Sequence, residues 1–271
     1  MTNINQQTQY NSMLARYPRP AIALTAVTYL LLGYLEALPG TIIPSLFYFF
    51  ALAILALYLM PRVLGLPNGR KSLRDYCRDI RLLPVRPLGR NVFIGLLMAA
   101  LTLSGILLAS LLTRHFILDW STVHASRLIK GLTRGIWEEV FFRGIILVLF
   151  MRVFSKRKAI FFSSFLFAMA HLRSIALTLE MIVDLVSIFF MGLLFIYIVL
   201  KTGSLLPAIV FHYIHDIFVL FVQNTPGADK VLATTFLYSF LWIALVVGAV
   251  LTKYIVERGS MKESKILISQ T

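Results

Sequence analysis

Long apolar runs alternate with short polar connections along almost the whole chain. The runs cover residues 21–38, 42–60, 92–112, 135–153, 160–171, 181–200, 205–222 and 231–256. A helix needs about 20 mostly apolar residues to cross the hydrocarbon core of a bilayer. The pattern therefore predicts an all-α fold, a polytopic integral membrane helix bundle of about eight transmembrane helices. Pro39-Gly40 makes a turn between the first two spans, and Pro61 ends the second. Gly203 separates the sixth from the seventh, and Pro207 stands near a helix start, where proline is tolerated. Between the second and third spans, Leu73, Tyr76, Cys77, Ile80 and Leu83 recur at helical spacing, with Arg74, Asp75, Arg78, Asp79 and Arg81 filling the other face. This stretch reads as one interfacial amphipathic helix, or equally as a loop helix packed on the protein's own core. The expected organisation is an N-terminal cytoplasmic tail over 1–20, one membrane domain over 21–256 and a C-terminal tail over 257–271. No internal repeat or low-complexity tract interrupts the sequence.

Composition agrees with the pattern. Of 271 residues, 59% are hydrophobic, against roughly 45–50% for a soluble domain. The formal net charge of +14 belongs in such a protein to cytoplasmic loops facing anionic lipid. Nucleic acid is not an expected partner, because no basic run is interleaved with a soluble reading domain. The lipid bilayer is, and the expected location is the cell membrane, with several passes. The distribution of Lys and Arg puts both termini in the cytoplasm, with residues 138 and 171 toward the outer half of the membrane. The polar N-terminus, residues 1–17, lacks the form of a cleaved signal peptide, so the first span is expected to act as a retained anchor. Cys77 is the sole cysteine, which rules out a disulfide framework or a thiolate metal site within one chain. It falls on the apolar side of its helix and reads as a small hydrophobe. His115 and His124 lie in a polar connector spanning 114–134 and carry no assigned role.

Charge returns where lipid should forbid it. The stretch Trp137-Glu138-Glu139-Val140-Phe141-Phe142-Arg143-Gly144 opens an otherwise apolar run. Ionisable groups at such depth are kept because they pair or because they react. Glu139 and Arg143 are four apart, acid first, so they form a pair on one helix face. Glu138 points about 100° away and is left as the unpaired acid. His171 ends the fifth run, and His212 and Asp216 share a face of the seventh, with His215 close to it. The fourth and fifth runs are antiparallel neighbours, which brings Glu138 and His171 to one depth. A carboxylate beside an imidazole is a general-base pair able to activate water, and His212 is placed to donate to a developing oxyanion. Neither G-x-S-x-G nor H-E-x-x-H occurs, which argues against a serine nucleophile elbow and a zincin. No cofactor is expected. Zinc stays open, with Glu138, His171 and His212 as the alternative ligands.

Glu138-Glu139-x-x-x-Arg143, then Phe167-x-x-x-His171, then His212-x-x-x-Asp216, in that order on hydrophobic helices, resembles the CPBP family. That family contains the type II CAAX prenyl endopeptidases and the bacteriocin-processing or self-immunity membrane proteins. The likeness covers roughly 131–221, including Gly203-Ser204-Leu205-Leu206-Pro207-Ala208 leading into His212. It implies an eight-helix membrane fold and a glutamate-type intramembrane endopeptidase acting on membrane-associated peptide or protein substrates, prenylated C-termini among them. By that resemblance Glu138 and His171 activate the water, His212 and Asp216 occupy the oxyanion positions, and Glu139 and Arg143 support them. Two departures stand out. Position 216 is Asp where the prenyl endopeptidases have Asn, and an ionised Asp accepts hydrogen bonds but cannot donate them. The eukaryotic enzymes also carry further histidines after the second motif, where this chain continues Leu172-Arg173-Ser174. The competing readings are a non-catalytic membrane interaction or bacteriocin-immunity protein, a metal-dependent membrane peptidase, and a small ion-coupled transporter. The transporter lacks the repeated halves such folds use.

Overall fold

The computed structural model describes residues 17–36, 42–63, 73–83, 87–122, 124–172, 178–219 and 221–269. The Pro39-Gly40 turn, Arg173-Ser174 and most of the polar N-terminus lie outside these residues. Each predicted apolar run falls on a helix. In chain order these are α1 (Pro18–Glu36), α2 (Ile42–Ile54), α3 (Leu73–Asp79), α4 (Leu88–Thr113), α5 (Ala125–Glu138), α6 (Leu147–Val153), α7 (Lys156–Met169), α8 (Leu179–Thr202), α9 (Leu206–Val219) and α10 (Lys230–Ser269). The backbone widens to a π-helix over Leu55–Leu59 after α2, and again over Glu139–Ile146, which joins α5 to α6 without a break.

Among the described residues, four helices are long and apolar enough to cross a membrane: Ile43–Arg62, Leu88–Thr113, Leu179–Thr202 and Lys230–Gly259. α9 is apolar but shorter. Large apolar side chains face outward, among them Ile43 at 76% exposure, Leu111 at 76% and Ile243 at 64%. Such a belt suits hydrocarbon, whereas exposed apolar patches of this extent are rare on soluble monomers.

Two apolar clusters hold the helices together. One surrounds the second π-helix, where Val140, Phe141, Ile145 and Ile146 are fully buried against Leu52, Ile80, Phe167 and Leu205. The other joins α4, α8, α9 and α10 through Ile94, Met98, Phe195, Phe211 and Leu241. α9 is clamped between α4 and α5 at two glycines. A Cβ on Gly95 would lie 2.8 Å from the Pro207 carbonyl oxygen, and one on Gly135 would lie 3.0 Å from the Tyr213 backbone. Small residues at crossings let membrane helices approach this closely.

The structure departs from the sequence expectations in three places. The connector expected over 114–134 is helical from Ala125 onward, so α5 begins ten residues before the predicted start at 135. Its alternating basic and apolar residues are a helix with a charged face, not a loop. The connector before α5 and the one after α9 pair as a short antiparallel ladder, β1 (Phe116–Leu118) with β2 (Val222–Asn224), so the fold is not purely helical. Just after β1, hydrogen bonds from Ser121 hold the Asp119 carboxyl below the usual carboxylate range. α10 continues to Ser269 through most of the segment expected as a tail; that stretch contains no proline and is rich in helix-favouring residues. Of the two readings of the 73–83 stretch, the short α3 fits a helix packed on the protein's own core, though Leu73 and Leu83 stay exposed. Ile80 is buried, and Tyr76, also buried, donates its hydroxyl to the Ala56 carbonyl at 2.8 Å. Burial pushes the Cys77 thiol up, away from the reactive thiolate.

Candidate active site

α5 ends on Glu138, and the π-helix begins at Glu139. Short π-segments inside α-helices occur frequently at functional sites. Here the wide turn directs the Leu147 N–H to the Phe142 oxygen, and Ser163 of α7 donates from Oγ to the same oxygen at 2.8 Å. The adjacent glutamates are sent to different surroundings.

Glu139 is fully buried. Its Oε1 lies 3.1 Å from an Arg143 guanidinium nitrogen and accepts from His212 Nδ1 at 2.8 Å. The arginine, itself fully buried, lies over the Phe167 ring at 3.8 Å and beside Phe195 at 4.8 Å. Aromatic faces attract a desolvated cation, so α7 and α8 both help to hold it. A carboxylate oxygen only accepts, so the Nδ1 of His212 carries a proton.

Glu138 lines a cavity of about 990 Å³ with His171, His212, Asp216 and His215. Its Oε2 is buried and makes no hydrogen bond. That oxygen lies 3.8 Å from His171 Nε2 and 3.9 Å from His212 Nε2. Asp216 Oδ1 is 3.5 Å from the same His212 Nε2. α7 ends in two tight turns that present His171, and His171 Nδ1 meets the Phe167 carbonyl at 2.9 Å. The carbonyl must accept, so in the neutral ring Nε2 is a lone pair turned toward Glu138. Phe142, Phe167, Ile188, Met191 and Phe195 supply apolar wall.

All six side chains singled out in the sequence thus meet. Glu138, His171, His212 and Asp216 share the cavity, and Glu139 and Arg143 lie directly behind it. The helical spacing of His212 and Asp216 suggests that the aspartate orients the imidazole, but the Nδ1 anchor is Glu139. His215 also lines the cavity, 9% exposed with Nδ1 unpartnered; its position three residues after His212 is the signal that places it there. Among the described residues, no group of three or more His, Cys, Asp or Glu is arranged to hold a metal ion.

Residues 120–218 match the family model described as type II CAAX prenyl endopeptidase Rce1-like. No curated protein and no solved structure matches the chain. The matched segment runs from the turn before α5 into α9 and contains every residue of the site. That segment, about a third of the chain, is similar to the type II CAAX prenyl endopeptidases over the same residues whose three motifs carry the resemblance to the CPBP family.

Proposed function

We propose that this protein is an intramembrane endopeptidase that cleaves membrane-associated peptides with a water activated by Glu138 and His171. One observation carries the reading: an unpartnered buried carboxylate oxygen faces two imidazole nitrogens at 3.8 and 3.9 Å. Glu138 Oε2 and the His171 Nε2 lone pair are both acceptors, and their separation suits one water donating to each. As that water attacks the scissile carbonyl, Glu138 takes its proton and returns it to the leaving amine, so the C–N bond breaks with protons balanced. The oxyanion forms beside His212 Nε2. That nitrogen donates only when the ring is doubly protonated, and the Nδ1–H held by Glu139 fixes its aim. Asp216 accepts only, unless protonated, and can hold the Nε2 proton before substrate arrives. The apolar walls suit a substrate segment drawn from the membrane, lipidated C-termini included, and the expected setting is a multi-pass protein of the cell membrane.

The test uses purified protein in detergent and quenched-fluorescence peptides, wild type against Glu138→Gln. Cleavage by wild type alone, with equal melting of both proteins, is the expected result. Cleavage that survives in Glu138→Gln overturns the mechanism. A biological effect that survives this substitution points instead to a non-catalytic interaction role. We also expect full activity after chelation and dialysis. Loss of activity restored by stoichiometric zinc would make Glu138, His171 and His212 ligands instead of acid–base groups.

A further inference from the structure

His215 takes no part in the proposed chemistry, although its ring lines the cavity, is 9% exposed and has a buried Nδ1 without a hydrogen bond. A polar atom left unsatisfied at that depth is costly. The ring is held in place. It packs against Phe211 at 5.8 Å between centroids, and Phe211 is fully buried against Phe195 at 5.0 Å. On a 3.6-residue helix His215 stands about 60° round from His212, on the side away from Asp216, and about 4.5 Å further along the axis. Asp216 faces α5, where a Cβ on Gly131 would lie 3.9 Å from the Asp216 Cβ. His215 therefore faces the other wall, which α4, α8 and α10 build from Ile106, Ile188, Met191, Leu237 and Leu241. That wall is apolar except for Tyr238, whose hydroxyl donates to Asp184.

We infer that His215 anchors the substrate backbone, its imidazole hydrogen-bonding a peptide N–H or C=O about one or two residues from the cleaved bond. A peptide lying extended in a cavity at membrane depth loses water from its N–H and C=O groups, and each must find a partner or cost stability. The aliphatic side chains of that wall offer none, whereas a neutral imidazole offers one donor and one acceptor nitrogen. The position follows from the helix. With the scissile carbonyl at His212, the rise of about 4.5 Å to His215 is one to two residues of an extended chain, which advances about 3.3 Å per residue. Holding a backbone group fixes the register of the peptide without choosing a side chain. The inference rests on the peptidase reading for where the cleaved bond lies, but the hydrogen bond itself is read by binding.

The experiment takes an apolar quenched-fluorescence octapeptide and replaces its backbone amides by esters, one at a time. Each ester removes an N–H and weakens the adjoining carbonyl as an acceptor. Cleavage is assayed with the intact protein in detergent as wild type, His215→Phe and His215→Gln. Affinity is measured with the same His215 residues on a Glu138→Gln background, where cleavage does not intervene. In wild type, one ester within about two residues of the cleaved bond should raise KM and Kd about tenfold, the worth of one hydrogen bond, with kcat nearly unchanged. His215→Phe should weaken the all-amide peptide by the same factor and make that ester harmless, while esters elsewhere act as in wild type. His215→Gln, which keeps a donor and an acceptor, should recover most of the affinity. A lower melting temperature with the ester profile intact would make His215 structural and overturn the inference. So would a flat ester profile in wild type, the result expected if an ordered water satisfies Nδ1. A fall in kcat of about 100-fold with KM unchanged would overturn it too, by placing His215 in the chemistry. A His215-dependent ester effect on binding without any cleavage sinks the peptidase reading and spares the anchor. Cleavage with a flat ester profile sinks the anchor alone.

Discussion

The two halves of the polar centre differ more than their sequence neighbours suggest. Behind the cavity, Glu139, Arg143 and the Nδ1 side of His212 form a fully buried cluster with short contacts of 2.8 and 3.1 Å. In front, Glu138, His171 and Asp216 face the cavity at 3.5 to 3.9 Å from their neighbours. One half is drawn together by short contacts; the other is more widely spaced, and the proposed mechanism puts a water in its gap. A buried carboxylate oxygen without a hydrogen bond is costly, and each half carries one, Glu138 Oε2 in front and Glu139 Oε2 behind; the difference is that the back half has an arginine 3.1 Å away. His212 belongs to both halves, one nitrogen in each.

Substitutions can separate the two. The largest effect is expected for Glu138→Gln, a fall in kcat of about 10²–10⁴-fold with an unchanged melting temperature. A variant that melts earlier yet still turns over would move Glu138 into the structural half. Next comes Arg143→Ala, which leaves Glu139 buried without its cation. Denaturation in detergent should show a loss of about 3–5 kcal/mol, and an unaltered transition would mean that the Phe167 and Phe195 rings were not holding a needed charge. His212→Ala should fold and slow turnover by about 10²–10³-fold. Equal rates in wild type and this variant would remove the imidazole from the oxyanion role. The smallest effect is expected for Ser163→Ala, about 1 kcal/mol of stability for one lost hydrogen bond to the π-helix, read by the same denaturation.

The sequence shows part of this division clearly. The i,i+4 spacing of Glu139 and Arg143 marks the buried pair, and its residue-to-residue rotation leaves Glu138 as the free acid. Antiparallel packing of consecutive runs places His171 at the depth of Glu138. Local spacing has less to say about partners from distant helices. It couples His212 to Asp216, because they share a face, whereas the 2.8 Å contact joins His212 to Glu139, 73 residues away. α5 is hidden for a related reason. Its Arg and Lys residues break the apolar run that marks a span, although they occupy one face of a regular helix. The β1–β2 ladder pairs two connectors more than 100 residues apart, and strands of three residues have no periodicity long enough to read.

The π-helix at Glu139–Ile146 has a consequence for how this chain can change over time. A helix that gains or loses one residue rotates everything beyond it by about 100°. Restoring the α-helical turn by deleting Val140, which is buried and apolar, would bring Arg143 to three residues after Glu139 and change the angle between them, while leaving every polar residue of the site in the sequence. Point substitutions along the apolar wall alter shape by one side chain at a time. A single missing codon here would unmake the register between α5 and the π-helix, so this is a segment in which length is far less free to vary than composition.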